Sequence, residues 1–144
     1  MSMLLFTRAI LEGKPIKLYN EGKLKRDYTY IDDIVEGILR VMDHKAEPDS
    51  SWDGEHPDPS SSSAPYRIYN IGNNTPIRLT RYIEILEECL GVEAKKELLP
   101  LQPGDVIASW ADVGDIARDM GYHPATPVEV GVPRFVEWYR EFYG

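Results

Sequence analysis

The chain has 144 residues, 42% of them apolar and 28% charged, a size and balance that fit one globular domain. Its formal charge of −8 argues against nucleic acid as a partner, and no stretch approaches the roughly 18 consecutive apolar residues of a membrane span. Cys89 is the single cysteine, so no internal disulfide can form and a reducing cytoplasm is the expected compartment.

The apolar start MSMLLFTRAILEGK lacks a preceding basic segment and a following small-residue cleavage site, which predicts a helix rather than a secretion signal. Leu4, Leu5, Ile10 and Leu11 recur at helical spacing, and Gly13 is placed to end that helix. PIKLYN then reads as a strand, Asn20-Glu21-Gly22 as a turn and LKRDYTY as a second strand, together a hairpin. Lys14, Lys17, Lys23, Lys25 and Arg26 crowd this region, which fits either a lysine-guarded edge or an anion-binding surface. From Ile31 the period changes: Ile31, Ile34, Val35, Ile38, Val41 and Met42 form one apolar stripe on a helix. Asp32 and Asp33 fall in its first turn, where the helix dipole favours negative charge.

Residues 46–65 are rich in Pro, Ser, Asp and Gly and have no periodicity. They predict an exposed excursion anchored by Trp52 and prone to disorder at its serine run. His56, beside Glu55 and Asp58, makes a poor metal site there. YRIYNIG reads as a strand apolar on both faces, and LTRYIEILEECLG as an amphipathic helix with Thr80 at its N-cap and Gly91 at its end. Cys89 lies in that helix as a packed thiol without a basic activating partner. KKELLPLQPGD is an extended, proline-punctuated link. Asp112 can cap the short helix VGDIARDM before Gly121, and TPVE predicts a capping box from Thr126 to Glu129. Pro133, inside the closing helix, removes one internal hydrogen bond.

Tyr19 and Lys23 have the Tyr-x-x-x-Lys spacing of a proton-transfer pair in nicotinamide enzymes. Such a pair needs a helix to bring both side chains to one face. Here Asn20, Glu21 and Gly22 predict a turn instead, so the match is one of spacing only. The chain also lacks a G-x-G-x-x-G turn, the usual cradle for a dinucleotide.

KRDYTYIDDIVEGI, APYRIYNIGNNTPIRL, LPLQPGDVIASWADV and GVPRFVEWYREFYG, in that order, resemble the C-terminal part of the UDP-glucuronate 4-epimerases. These are nucleotide-sugar epimerases of the NAD-dependent epimerase/dehydratase family, within the extended short-chain dehydrogenase/reductase superfamily. The resemblance runs over nearly the whole chain. R-D-Y-x-Y-x-D-D marks only the broad superfamily, whereas WDGEHPDP and QPGD are more particular to the glucuronate branch.

The resemblance implies an α/β fold of short strands and several packed helices: the C-terminal substrate-binding part without a complete Rossmann domain. In the family an N-terminal domain holds NAD and supplies the Tyr/Lys pair, and the C-terminal part grips the UDP of the substrate. Carried over, the strand with Lys17, Leu18 and Tyr19 lies against the uracil ring, its backbone groups reading the base edge and the aromatic covering it. Arg26 contacts the diphosphate with its fixed fork of donors, and Asp105 accepts from ribose hydroxyls. Gln102 replaces an arginine that many relatives use against phosphate, which weakens the attraction.

The implied reaction is interconversion of UDP-glucuronate and UDP-galacturonate by oxidation and re-reduction at C4. A UDP-glucuronate decarboxylase is the alternative, because the 4-ketone beside the C5 carboxylate is prone to lose carbon dioxide. On its own the chain is expected to bind a UDP-sugar, hold no NAD and turn nothing over. The faces of YRIYNIG and of the helix after YIDD that meet the NAD-binding domain in whole enzymes would lie bare and favour self-association. A small independent enzyme has no support, since no His/Ser/Asp or His/Cys constellation is present.

Overall fold

The computed structural model describes residues 2–144. In chain order it contains α1 (Ser2–Leu11), β1 (Ile16–Leu18), β2 (Lys25–Asp27), α2 (Ile31–Met42), β3 (Pro76–Arg78), α3 (Leu79–Leu90), β4 (Lys96–Leu98), β5 (Ala108–Ser109), α4 (Gly114–Met120) and α5 (Val128–Tyr143). This is the mixed α/β arrangement of short strands and packed helices that the resemblance implies. Among the described residues no helix is long and apolar enough to cross a membrane.

The main core forms where α1, α3 and α5 cover β1. Tyr82, Ile83, Leu86 and Leu90 recur at three- and four-residue spacing on α3, and Val128, Val132 and Val136 recur every fourth residue on α5. Both sets are buried together with Ile10, Ile16, Leu18 and Leu24. Each large aliphatic side chain buried this way contributes about 1.5–3 kcal/mol. Pro133 points outward from α5, so its ring avoids this core. A smaller cluster of Val113, Ile116 and Tyr122 joins α4 to Val41 of α2 and to Tyr69 and Ile71.

The strands pair differently from the sequence expectation. β1 and β2 do not form a hairpin: β1 pairs in parallel with β4, while β2 lies between antiparallel β3 and parallel β5. The cause lies in the 3₁₀ turn Tyr19–Gly22, where Asn20 (φ 49°) and Glu21 (φ 53°) are both left-handed. That turn carries the chain out of the first sheet, and the Glu21 amide donates to the Leu99 carbonyl beyond β4. YRIYNIG is not a strand either. Arg67 makes one isolated antiparallel bridge to Ser61, and no other strand lies beside the segment among the described residues. Tyr69 and Asn70 are held through side chains instead, Tyr69 Oη donating to Asp119 and Asn70 Nδ2 to the Asp112 carbonyl.

Helix ends follow the sequence in part. Gly13, Gly91 and Gly121 all take left-handed conformations at or just beyond helix ends. Asp112 Oδ1 accepts from the Gly114 amide at 2.8 Å, but Asp112 stands one residue ahead of the N-cap of α4, which is Val113. Thr80 is not an N-cap, because α3 starts one residue earlier behind Arg78. The Thr126 capping box is also absent. α5 begins after Pro127, and Glu129 turns to Arg81. The Thr126 amide instead donates to the buried Asp33 carboxylate, which also accepts from Ala125. Asp33 is therefore a tie between α2 and α5 as well as a dipole partner.

Residues 46–65 make a loop closed by its own side chains. Asp49 accepts from Ser51 and Ser61, and Trp52 Nε1 donates to the Asp58 carbonyl. Within it, Asp53, Glu55 and His56 lie close together and fully in solvent.

Candidate functional site

Alternation along β2 places Arg26 on the opposite face from Lys25 and Asp27. Arg26 looks into an open cleft of about 450 Å³, walled by Phe6 and Ala9 of α1, Lys17 of β1, Tyr19, and Tyr28 just after β2. Its guanidinium is held from two directions. Nη2 donates to Asp105 Oδ1 at 2.7 Å, and Nη1 donates to the Lys25 carbonyl at 2.8 Å. Further N–H donors stay free for a ligand.

Asp105 reaches Arg26 through a tight turn. Its amide donates to the Gln102 carbonyl at 3.1 Å, and Gly104 within the turn has φ 82°. Asp105 Oδ1 also accepts from the Val106 amide at 2.9 Å, which leaves Oδ2 available as an acceptor. A fork of cationic donors that lines the cleft thus stands beside a carboxylate with a free oxygen, although Asp105 itself does not line the cleft. That pairing can meet a phosphate with one group and a hydroxyl with the other.

The remaining residues implied by the resemblance divide. Lys17 and Tyr19 line the cleft, Lys17 exposed and Tyr19 half-buried. The Leu18 side chain is buried in the core and its carbonyl accepts from the Leu99 amide, so at this position only backbone is left to meet a ligand. Gln102 is exposed in the turn and does not line the cleft. Tyr19 and Lys23 stay apart in function: the Lys23 ammonium pairs with Glu21, as the turn reading requires.

Three features were not legible beforehand. Asp27 Oδ2 accepts from the backbone amides of Asn73, Asn74 and Ala111 at 3.0–3.2 Å, tying β2 to two distant turns. Tyr28 stacks on Tyr82 at 4.4 Å between ring centroids and 8° between planes, forming the inner wall of the cleft. Burial pushes the Tyr28 hydroxyl up to about 12 against the nearby Arg26 charge, so it is a neutral donor rather than a base. Gly72 lies so close to Ala111 that a Cβ would come within 2.4 Å of the Ala111 Cβ. The local signal for Asp27 was its alternation with Arg26, but nothing in the sequence linked it to amides 46 or more residues away.

Cys89 is half-buried on α3, and burial raises its thiol above the usual range, which fits a packed thiol.

Residues 2–72 match the NAD dependent epimerase/dehydratase family. Protein CapI of Staphylococcus aureus is 48% identical over 99% of this chain and 43% of its own length. UDP-glucuronate 4-epimerase 1 of Arabidopsis thaliana is 39% identical over 100% of this chain and 33% of its own length. In structure, the chain superposes on UDP-glucuronic acid 4-epimerase from Bacillus cereus, solved in complex with UDP-glucuronic acid and NAD. That match has a TM-score of 0.78 at 23% identity, over 99% of this chain and 40% of the other. The chain spans between 33 and 43% of the length of the curated relatives it matches.

Proposed function

We propose that the chain, whose residues 2–72 match the NAD dependent epimerase/dehydratase family, is the part of a UDP-glucuronate 4-epimerase that grips the UDP of the substrate. The observation that carries this reading is Arg26, braced by Asp105 and the Lys25 carbonyl at the mouth of an open cleft. Bracing fixes the guanidinium before a ligand arrives, so less side-chain freedom is lost on binding. Arg26 meets the diphosphate, the free oxygen of Asp105 accepts from a ribose hydroxyl, and Tyr19 with Lys17 covers the base.

The sequence carries no G-x-G-x-x-G pattern of a dinucleotide cradle, and on this reading NAD belongs to another domain. In the whole enzyme NAD, held by another domain, supplies the hydride acceptor and donor. This chain's contribution is to anchor and orient the UDP-sugar in the reaction UDP-glucuronate to UDP-galacturonate.

The apolar face of α2 supports the second half of the proposal. Ile31, Val35, Ile38, Leu39 and Met42 are all exposed, as are Tyr66 and Ile68. The reading is that this surface packs against the NAD-binding domain and, without it, against a second copy of the chain.

Calorimetric titration of the chain with UDP tests the reading. Binding that weakens about tenfold or more in Arg26→Ala is expected, the scale of one lost charged hydrogen bond. Absence of UDP binding, or equal affinity in Arg26→Ala, would overturn it. Formation of UDP-galacturonate by the chain alone with UDP-glucuronate and NAD would overturn the division of labour.

A further inference from the structure

Lys25 and Arg78 are directly opposite each other in the antiparallel register of β2 with β3. Like charges placed so are destabilising, and the neighbouring acids are committed elsewhere. Glu21 pairs with Lys23, Asp105 pairs with Arg26, and Asp27 gives Oδ2 to three backbone amides. Among the described residues neither Lys25 nor Arg78 makes an ion pair.

Both side chains line an open cleft of about 540 Å³ together with Glu21, Gly22, Lys23 and Thr80. Lys23 brings a third cation, and Thr80 brings a hydroxyl from the first turn of the twelve-residue helix α3. The positive end of that helix adds to the same field. Three cations less the Glu21 carboxylate leave the cleft with a net charge of +2, on a chain whose total is −8. Fold stability alone gives no reason to set Lys25 against Arg78.

We propose that this cleft is a second anion site, separate from the Arg26 cleft, that takes a phosphate dianion, either free or carried on a small molecule. The local charge matches a phosphate of about −2, and the guanidinium, two ammonium groups and one hydroxyl supply donors from several sides. The site lies on the reverse face of β2 from Arg26. The two share the Lys25 residue, whose side chain serves this cleft while its carbonyl braces Arg26.

Calorimetry on the Arg26→Ala chain, with inorganic phosphate and with glucose 1-phosphate at low ionic strength, isolates this site from the first. Binding is expected, and it should weaken about tenfold in Arg26→Ala chains that also carry Lys25→Gln or Arg78→Gln. Equal affinity for the two probes identifies free phosphate as the occupant, and tighter glucose 1-phosphate identifies a phosphorylated small molecule. No binding in Arg26→Ala, or no effect of the two glutamine substitutions, would overturn the proposal. Thermal unfolding gives an independent reading. In phosphate-free buffer Arg26→Ala with Arg78→Gln should melt above Arg26→Ala because repulsion is relieved, and added phosphate should raise Arg26→Ala but not the double variant. An equal response of both to phosphate would also overturn it. Failure of the UDP reading shows separately, as loss of UDP binding in a chain with Lys25 and Arg78 intact.

Discussion

Arg26 Nη2 and Asp105 Oδ1 meet at 2.7 Å across 79 residues of chain, with each side chain 27% exposed. At that exposure an ion pair contributes only about 0–1 kcal/mol to folding. Its role is therefore orientation of the guanidinium. Asp105→Asn should leave the urea midpoint within about 1 kcal/mol of the parent yet weaken UDP binding. Arg26→Lys should lose most of the UDP affinity, because an ammonium cannot reproduce the planar fork. A loss of several kcal/mol in Asp105→Asn would mark the pair as structural instead.

Asp27 sits one residue from Arg26 and does the opposite job. Its Oδ2 gathers three amides from two turns, and its Oδ1 is buried without a partner. Removing the carboxylate leaves three donors without their acceptor, so Asp27→Ala should destabilise the chain by about 3 kcal/mol or more. Asp27→Asn keeps one acceptor oxygen and should cost less than Ala. Urea denaturation of both variants checks the order; equal costs would show that the oxygen is not the tie.

Gly72 touches the same tie from the other side. A Cβ there would stand 2.4 Å from the Ala111 Cβ and 2.9 Å from Asp27 Oδ2. Both obstacles are short and packed, so Gly72→Ala should cost about 1–3 kcal/mol through overpacking. Ala111→Gly removes the nearer obstacle and should recover part of that loss in the double variant. A double-mutant cycle with no coupling would place the strain elsewhere.

The longer helices were legible because their apolar positions repeat over ten or more residues, and Gly13, Gly91 and, after the seven-residue α4, Gly121 marked where helices stop. The strands were not. β1 and β2 are three residues long, too short for a period, and each pairs in parallel with a segment about 80 residues later. Proximity in sequence suggested a hairpin, but two left-handed residues at Asn20 and Glu21 separate the strands. The Thr126 box failed for a similar reason: a carboxylate from Asp33, 93 residues away, took the amide that a local cap would have used. Arg26 and Asp105 were named through the family motifs, and their contact is a tertiary fact. Leu18, named with them, follows the in-out-in burial of β1 and faces the core.

Tyr28 predicts a response to alkali. Burial raises its hydroxyl to about 12, above the roughly 10 of an unfolded chain, and burial raises Tyr82 behind it as well. The folded state therefore keeps protons that the unfolded state releases. That stabilisation is complete below about pH 10 and is lost as the pH rises through about 12. The urea midpoint should fall over that window, and Tyr28→Phe should flatten the fall. The part of the phenolate absorbance that Tyr28→Phe removes should rise only well above pH 10, and finding it already at about pH 10 would contradict the burial.

The α2 face yields a prediction about association. Met42 is 74% exposed and Ile31 61%, and with Val35, Ile38 and Leu39 they form one stripe along the helix. A solvated helix of a closed domain would turn such a stripe inward. Asp33, however, faces inward and fixes the helix to Ala125 and Thr126, so α2 cannot rotate to hide it without breaking that tie. The chain should therefore self-associate with rising concentration in sedimentation velocity. Ile38→Glu with Met42→Lys should shift it to monomer at unchanged urea midpoint, because both side chains are already in water. A parent chain that sediments as a monomer at high concentration would refute the docking role of this face. A double variant that unfolds more easily would show instead that the stripe supports the fold.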